Sequence, residues 1–281
     1  KSMKRYIKSF LLKFFWFFSK STRIHSMNRM LVEINHNQLI NNKKYNDTKH
    51  LINHGFKVYS QSDEDGIINE ILNRISSTSK TFIELGVQEG DECNTLFLLK
   101  SGWKGLWVDM SSNLNALNKK FSKYLDIKLK FEKKKITSKN LNIILERNKD
   151  FLGNTIDLLS IDLSKNTYHI LKNMNFYKPN IIVTEYNAKL RDRIEWVSEY
   201  NENGIWDGTD DFGASLKSFQ LMLEDKGYKL VGCNITGINA FFVRNDLINK
   251  NFFDNHDSEF HYEPLRSWLI KKFENEIKQK I

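Results

Sequence analysis

The sequence predicts an α/β fold: a mostly parallel seven-stranded sheet, helices on both faces, and a C-terminal antiparallel hairpin. Three observations predict it. Short apolar runs such as TFIELGV (81–87), GLWVDMS (105–111) and PNIIVTEYN (179–187) alternate with segments of helical period. Glycine turns punctuate the junctions, as at 86–90. The last two runs, YKLVGCNI (228–235) and NAFFVRNDL (239–247), are separated only by Thr236, Gly237 and Ile238, enough for a hairpin but too few for a crossover.

The elements follow in order. Residues 20–55 are polar with a weak helical pattern. SQSDEDGIINEIL (60–72) reads as a helix capped by Ser62, with Ile67, Ile68, Ile71 and Leu72 on one face. After the first strand a short helix (93–101) stops at Ser101-Gly102. The second strand leads into a helix through LNALNKKFSKYL. KLKFEKKKI (128–136) alternates as the third strand, followed by a helix over 138–149. IDLLSID (156–162) is the fourth, with a helix near 166–175, and 179–187 is the fifth. A long connection (188–212) precedes the helix SLKSFQLMLEDKG, and a last helix after Pro264 carries Leu265, Trp268, Leu269, Phe273 and Ile277 at helical spacing. The expected organisation is a basic, aromatic, helical N-terminal extension (1–55), a main domain (56–248) and a C-terminal helical extension (249–281).

With 281 residues, 40% hydrophobic, the chain can bury a substantial core. The net charge of +9 suits a soluble surface, nucleic acid or an anionic membrane. Its lysines gather at 119–149 and at both ends rather than around stackable aromatics, which argues against nucleic acid. Cys93 and Cys233 supply no disulfide framework or metal spacing, so a reducing cytoplasm is expected. His256 and His261 lack a partner pattern and read as structural. YIKSFLLKFFWFF (6–18) is too short to span a bilayer and is broken by Lys8 and Lys13. Flanked by Lys4, Arg5, Lys20 and Arg23, it predicts peripheral contact of residues 3–20 with the anionic inner face of a membrane. The competing expectation is an amphipathic helix packed on its own domain or on a second subunit, giving a homo-oligomer.

The chemistry concentrates in FIELGVQEGDECNT (82–95). The turn from Gly86 to Gly90 lacks the spacing of a dinucleotide site and the Gly-Lys-Ser/Thr of a P-loop. Glu89, Asp91 and Glu92 would repel a pyrophosphate but welcome a cation. S-adenosylmethionine carries a sulfonium and an ammonium. Gly86 and Gly90 are therefore candidate cofactor contacts, admitting close backbone approach. Asp109 ends the second strand, where an acid can hold both ribose hydroxyls.

SQSDEDGIINEIL, TFIELGVQEGDECNTLFLLKSGWKGLWVDMS, DLLSIDL, IIVTEYN, WDGTDDFGASL and GYKLVGCNITGINAFFVRNDL together resemble the FkbM-like branch of class I S-adenosylmethionine-dependent methyltransferases. The resemblance covers about two-thirds of the chain, Ser60 to Leu247. It implies the Rossmann-like seven-stranded methyltransferase sheet, cofactor contacts at Glu84, Gly86, Gly90 and Asp109, and chemistry near Asp162 and Glu185. Many of these enzymes act in surface-polysaccharide pathways, which implies a sugar hydroxyl as acceptor. A small metabolite, peptide or lipid acceptor, or a non-catalytic cofactor-binding relative, stays open.

One departure stands out. Relatives read Ile-Asp-Ile-Asp-Gly-Asn-Asp-Tyr after the fourth strand, whereas this chain has Ile161-Asp162-Leu163-Ser164-Lys165-Asn166-Thr167-Tyr168. Two carboxylates are missing, so no divalent-metal site is expected there. Lys165, if near, would lower the pKa of Asp162. Methyl transfer to a hydroxyl needs alignment and one general base, for which Asp162, Glu185 and His169 are the candidates. Asn187 at the end of the fifth strand, with Trp206, Asp207 and Asp210 in the long connection, are candidates for gripping the acceptor.

Overall fold

The computed structural model describes residues 22–77, 79–110, 113–204 and 206–273. The seven predicted strands are present: β1 (Thr81–Leu85), β2 (Lys104–Asp109), β3 (Leu129–Lys133), β4 (Leu158–Ile161), β5 (Ile181–Glu185), β6 (Tyr228–Cys233) and β7 (Asn239–Arg244). They form one sheet in the order β3-β2-β1-β4-β5-β7-β6. Strands β1 to β5 run parallel, and β7 is antiparallel to both β5 and β6. The strand order reverses between β1 and β4, and that junction is where such sheets bind ligands.

Alternation along each strand builds two apolar layers. Ile83, Leu106, Val108, Leu159, Ile182 and Phe242 pack on one face. Phe82, Trp107, Leu158, Ile181, Val183 and Phe241 pack on the other. Burial on both faces explains why these strands read as continuous apolar runs rather than alternating ones.

Among the described residues the helices are α1 (Thr22–Ile40), α2 (Glu64–Arg74), α3 (Leu96–Lys100), α4 (Leu114–Phe121), α5 (Leu141–Arg147), α6 (Lys149–Leu152), α7 (Thr167–Asn173), α8 (Leu216–Asp225), α9 (Ser258–His261) and α10 (Ser267–Phe273). Thr22–Ile40 of the N-terminal region form the 19-residue α1. One expectation needs correction. Ser62 is not the cap of α2: Asp63 occupies that position without a side-chain cap bond. The Ser62 hydroxyl instead donates to Glu64 Oε1 at 2.9 Å, and the Ser62 amide donates to Glu64 Oε2 at 2.7 Å. Glu64 also accepts from the amides of Asn234 and Asn239. A buried polar cluster thus binds α2 to the β6–β7 turn through Glu64, and the bond to Glu64 takes the Ser62 hydroxyl that a cap would use.

The expected contact of residues 3–20 lies outside the described residues. No helix among the described residues is long and apolar enough to cross a membrane. Cys93 and Cys233 are both free and buried.

Candidate functional site

The C-terminal edge of β1, β2, β4 and β5 gathers Glu84, Asp109, Asp162 and Glu185. Gly86 leaves β1 with φ +93°, and a Cβ there would come within 1.9 Å of the Asp162 carbonyl oxygen. Only glycine lets the two central strand ends lie this close. Gly90 has φ +72°, and its Cβ would press on Phe121, Trp107 and Leu117 at 3.0–3.2 Å. Both glycines are therefore demanded by the protein's own packing, a reason different from the expected approach of a cofactor. Between them Gln88 takes φ +48°, strained for a side chain, and its amide donates to Asp109 Oδ2 at 2.9 Å. The end of β2 is thereby locked to the turn.

Glu84 is 6% exposed, and its carboxylate is occupied by neighbours. Oε1 accepts from the Asn94 amide at 2.9 Å and the Ser160 hydroxyl at 3.3 Å. Oε2 accepts from the Thr95 amide at 3.0 Å and the Thr95 hydroxyl at 2.5 Å. Burial pushes its pKa up to about 7, and these donors hold it from going higher. Glu84 thus fastens the whole 86–95 turn. Asn94 and Thr95 were missed as its partners, although a Thr just before an apolar helical run is a legible signal.

Asp162 and Glu185 end adjacent parallel strands, and their carboxyls share a hydrogen bond. Burial, then the Asp162 charge, lifts Glu185 well above the usual range, which favours the protonated form of Glu185. Burial also raises Asp162, while the Ser164 amide and Glu185 pull it down. The Asp162 side chain is exposed at the strand edge, and Asp162 is raised less than the half-buried Glu185. Ser164, at φ +52°, donates its amide to Asp162 Oδ1. The Thr167 hydroxyl, standing where a carboxylate was expected, accepts from the Leu163 amide at 2.8 Å and closes this turn.

Lys165 does not act on Asp162. Its ammonium lies 3.1 Å from Asp211 Oδ2 and 3.6 Å from Asp207 Oδ2, in the long connection. That connection is zipped at its base, where Val197 bridges Ala214. It is tied to the turn after β4 at further points. The Asn166 amide donates to the Asn201 carbonyl, and His169 Nε2–H donates to the Ser198 carbonyl at 2.7 Å. His169 is therefore a loop anchor, not a group poised at the strand edge. Asn187 is likewise corrected: it is 1% exposed and donates to the Asp210 and Phe212 carbonyls. Asp207 accepts from the Thr209 hydroxyl at 2.6 Å, and Asp210 pairs with Lys189. Trp206 remains available, 53% exposed, its indole N–H held by the Thr209 carbonyl.

Strand order, reversed β7 and a carboxylate-lined edge at the switch point define the class: a Rossmann-like methyltransferase sheet. No protein-family model matches this chain, and no curated protein matches it. Among solved structures it is similar to an O-methyltransferase family protein from Burkholderia thailandensis, at 11% identity and TM-score 0.38. That alignment covers 64% of this chain and 57% of the Burkholderia protein. It is similar also to an S-adenosylmethionine-dependent methyltransferase from Clostridium acetobutylicum ATCC 824, at 16% identity and TM-score 0.40, covering 67% of this chain and 92% of that one.

Proposed function

We propose that this chain is an S-adenosylmethionine-dependent O-methyltransferase of the FkbM-like branch, acting on a sugar hydroxyl of a surface glycan or its precursor. One observation carries the reading: Asp109, the 86–90 turn and the proton-sharing Asp162–Glu185 pair converge at the strand edge where the sheet order reverses. The donor set suits the cofactor. Carboxylates without a phosphate-binding sequence favour a sulfonium and an ammonium, and Asp109 suits a ribose diol. Asp109 and the 86–90 backbone would hold it, and when bound it supplies an electrophilic methyl group.

The protein's part is alignment and proton removal. Asp162, ionised, accepts the proton of the acceptor hydroxyl, while Glu185 keeps the shared proton and orients Asp162 through their hydrogen bond. Trp206 offers a face on which a sugar ring stacks, with Asp207 and Asp210 beside it for hydroxyl contacts. Residues 3–20 bring the chain to the inner face of an anionic membrane, where a lipid-linked acceptor would be met.

Titration calorimetry with S-adenosylmethionine and S-adenosylhomocysteine tests the cofactor assignment, followed by labelled methyl transfer to glycan acceptors. Asp109→Ala is expected to lose about 1.5–3 kcal/mol of affinity, the worth of a hydrogen bond to a charged group. Unchanged affinity would remove the ribose assignment, and preferential binding of NAD or ATP would remove the whole reading.

A further inference from the structure

Helix α1 is apolar on two opposite sides, and one of them packs on the molecule. Val32, Leu39, Ile40 and Ile52 pack around Ile235 and Leu269, and His36 lies beside Lys272 of α10. Met27, Met30, Leu31 and Ile34 recur at the spacing of a single helix face, and they are 57, 57, 51 and 44% exposed. At about 100° per residue this stripe points nearly half a turn away from Val32, His36 and Leu39. The paired α10 segment leaves Leu265 and Trp268 open as well. An exposed apolar stripe of this kind marks an interaction surface.

Charge selects the occupant. Residues 1–40 carry eight Lys and Arg against one Glu, so seven of the nine net positive charges lie there. A second copy docking on this face would bring one strongly basic segment against another. An anionic bilayer is attracted by every one of these charges. The run YIKSFLLKFFWFF, directly upstream in sequence, has the same apolar and basic chemistry.

We propose that the Met27–Met30–Leu31–Ile34 face of α1 seats on an anionic lipid surface. The proposal rests on the membrane reading given above for residues 3–20 and extends it onto the folded body. Basic residues draw the chain to the surface, and the stripe holds it there by burying apolar area. The first contribution is screened by salt and the second is not.

The test is co-sedimentation of the full chain with phosphatidylcholine vesicles, with and without phosphatidylglycerol, over a salt series. Wild type is expected to sediment with the anionic vesicles. Met30→Glu/Leu31→Glu should weaken that binding by roughly tenfold or more. Its melting temperature and S-adenosylhomocysteine affinity should not change, because both side chains already face solvent. The full-length variant Lys4→Glu/Arg5→Glu/Lys8→Glu/Lys13→Glu probes the upstream segment separately. Binding lost in that variant but intact in Met30→Glu/Leu31→Glu would overturn the α1 face and leave the upstream reading standing. No wild-type binding would overturn both. A wild-type dimer that Met30→Glu/Leu31→Glu dissociates, with no vesicle binding, would assign the face to a second copy and overturn the proposal.

Discussion

Asp162 and Glu185 sit too close for both to ionise at modest cost, and their environments decide which keeps the proton. On the proposed reading, with the proton on Glu185, Asp162 acts as the base, and a second proton on the pair would silence it. Since both groups are raised, turnover should fall with decreasing pH at a point above the ordinary Asp value near 4. Asp162→Asn should cut turnover by roughly 10²–10⁴-fold, the usual worth of a general base. S-adenosylhomocysteine affinity, read by calorimetry, should stay at the wild-type value. Losing both together would make Asp162 a structural residue. Glu84 has the contrary profile. Glu84→Gln would turn an amide N–H either toward the donors of Asn94 and Ser160 or toward those of Thr95, leaving buried donors unpaired. Denaturant unfolding should show a loss of about 1–3 kcal/mol.

At the scale of the element, the turn after β4 and the 188–215 connection behave as one piece. Lys165, Asn166 and His169 reach from the first to Asp207, Asp211, Asn201 and Ser198 of the second. Asp211 also accepts from the Ser198 hydroxyl, joining the two arms of the loop. Lys165 was legible in the sequence only as an odd cation in place of a glycine; its partners lie some forty residues on, and no local pattern announces them. Lys165→Gly should loosen the loop tip that carries Trp206. Acceptor KM is expected to rise roughly two- to fivefold, the modest effect of an ion pair near the surface. Cofactor affinity should hold, amide exchange over 206–211 should quicken, and Lys165→Arg should restore both measures. An unchanged exchange rate in Lys165→Gly would show that the zipped base alone holds the loop.

At the scale of the molecule, several carboxyls are buried without a matching cation among the described residues. Burial, then the charge of Glu64, lifts Asp63 to about 7. Burial lifts Asp65 to about 6 and Glu84 to about 7. Each binds its proton more tightly folded than unfolded. The stability they contribute is therefore full below the unfolded pKa near 4 and is lost as pH rises through about 6–7. Asp63→Asn removes one such group and should flatten that decline. Its melting temperature is expected to match wild type near pH 5 and to exceed it near pH 8. A variant with the full wild-type slope would place the pH dependence elsewhere.

The sequence by itself determined the α/β class, the seven strands and their approximate bounds, the closing hairpin, and the polar residues at the strand ends. Each rests on local periodicity or on a turn residue, and contacts within three or four positions suffice to express it. Only the tertiary structure decided the strand order and what the acids face. Glu84 and Asp109 read alike as cofactor contacts and both are buried, Glu84 closed over by Asn94, Thr95 and Ser160 and Asp109 bonded to the Gln88 amide. Asn187 and His169 read as site residues because they follow strand ends, but the returning loop takes up their hydrogen bonds. Gly90 is glycine because Trp107 and Phe121 pack against it, and α1 is apolar on a second face with no partner among the described contacts. The physical reason is shared. Hydrogen-bonding capacity and surface area are spent between segments tens of residues apart, and that pairing is fixed by the order in which the strands assemble.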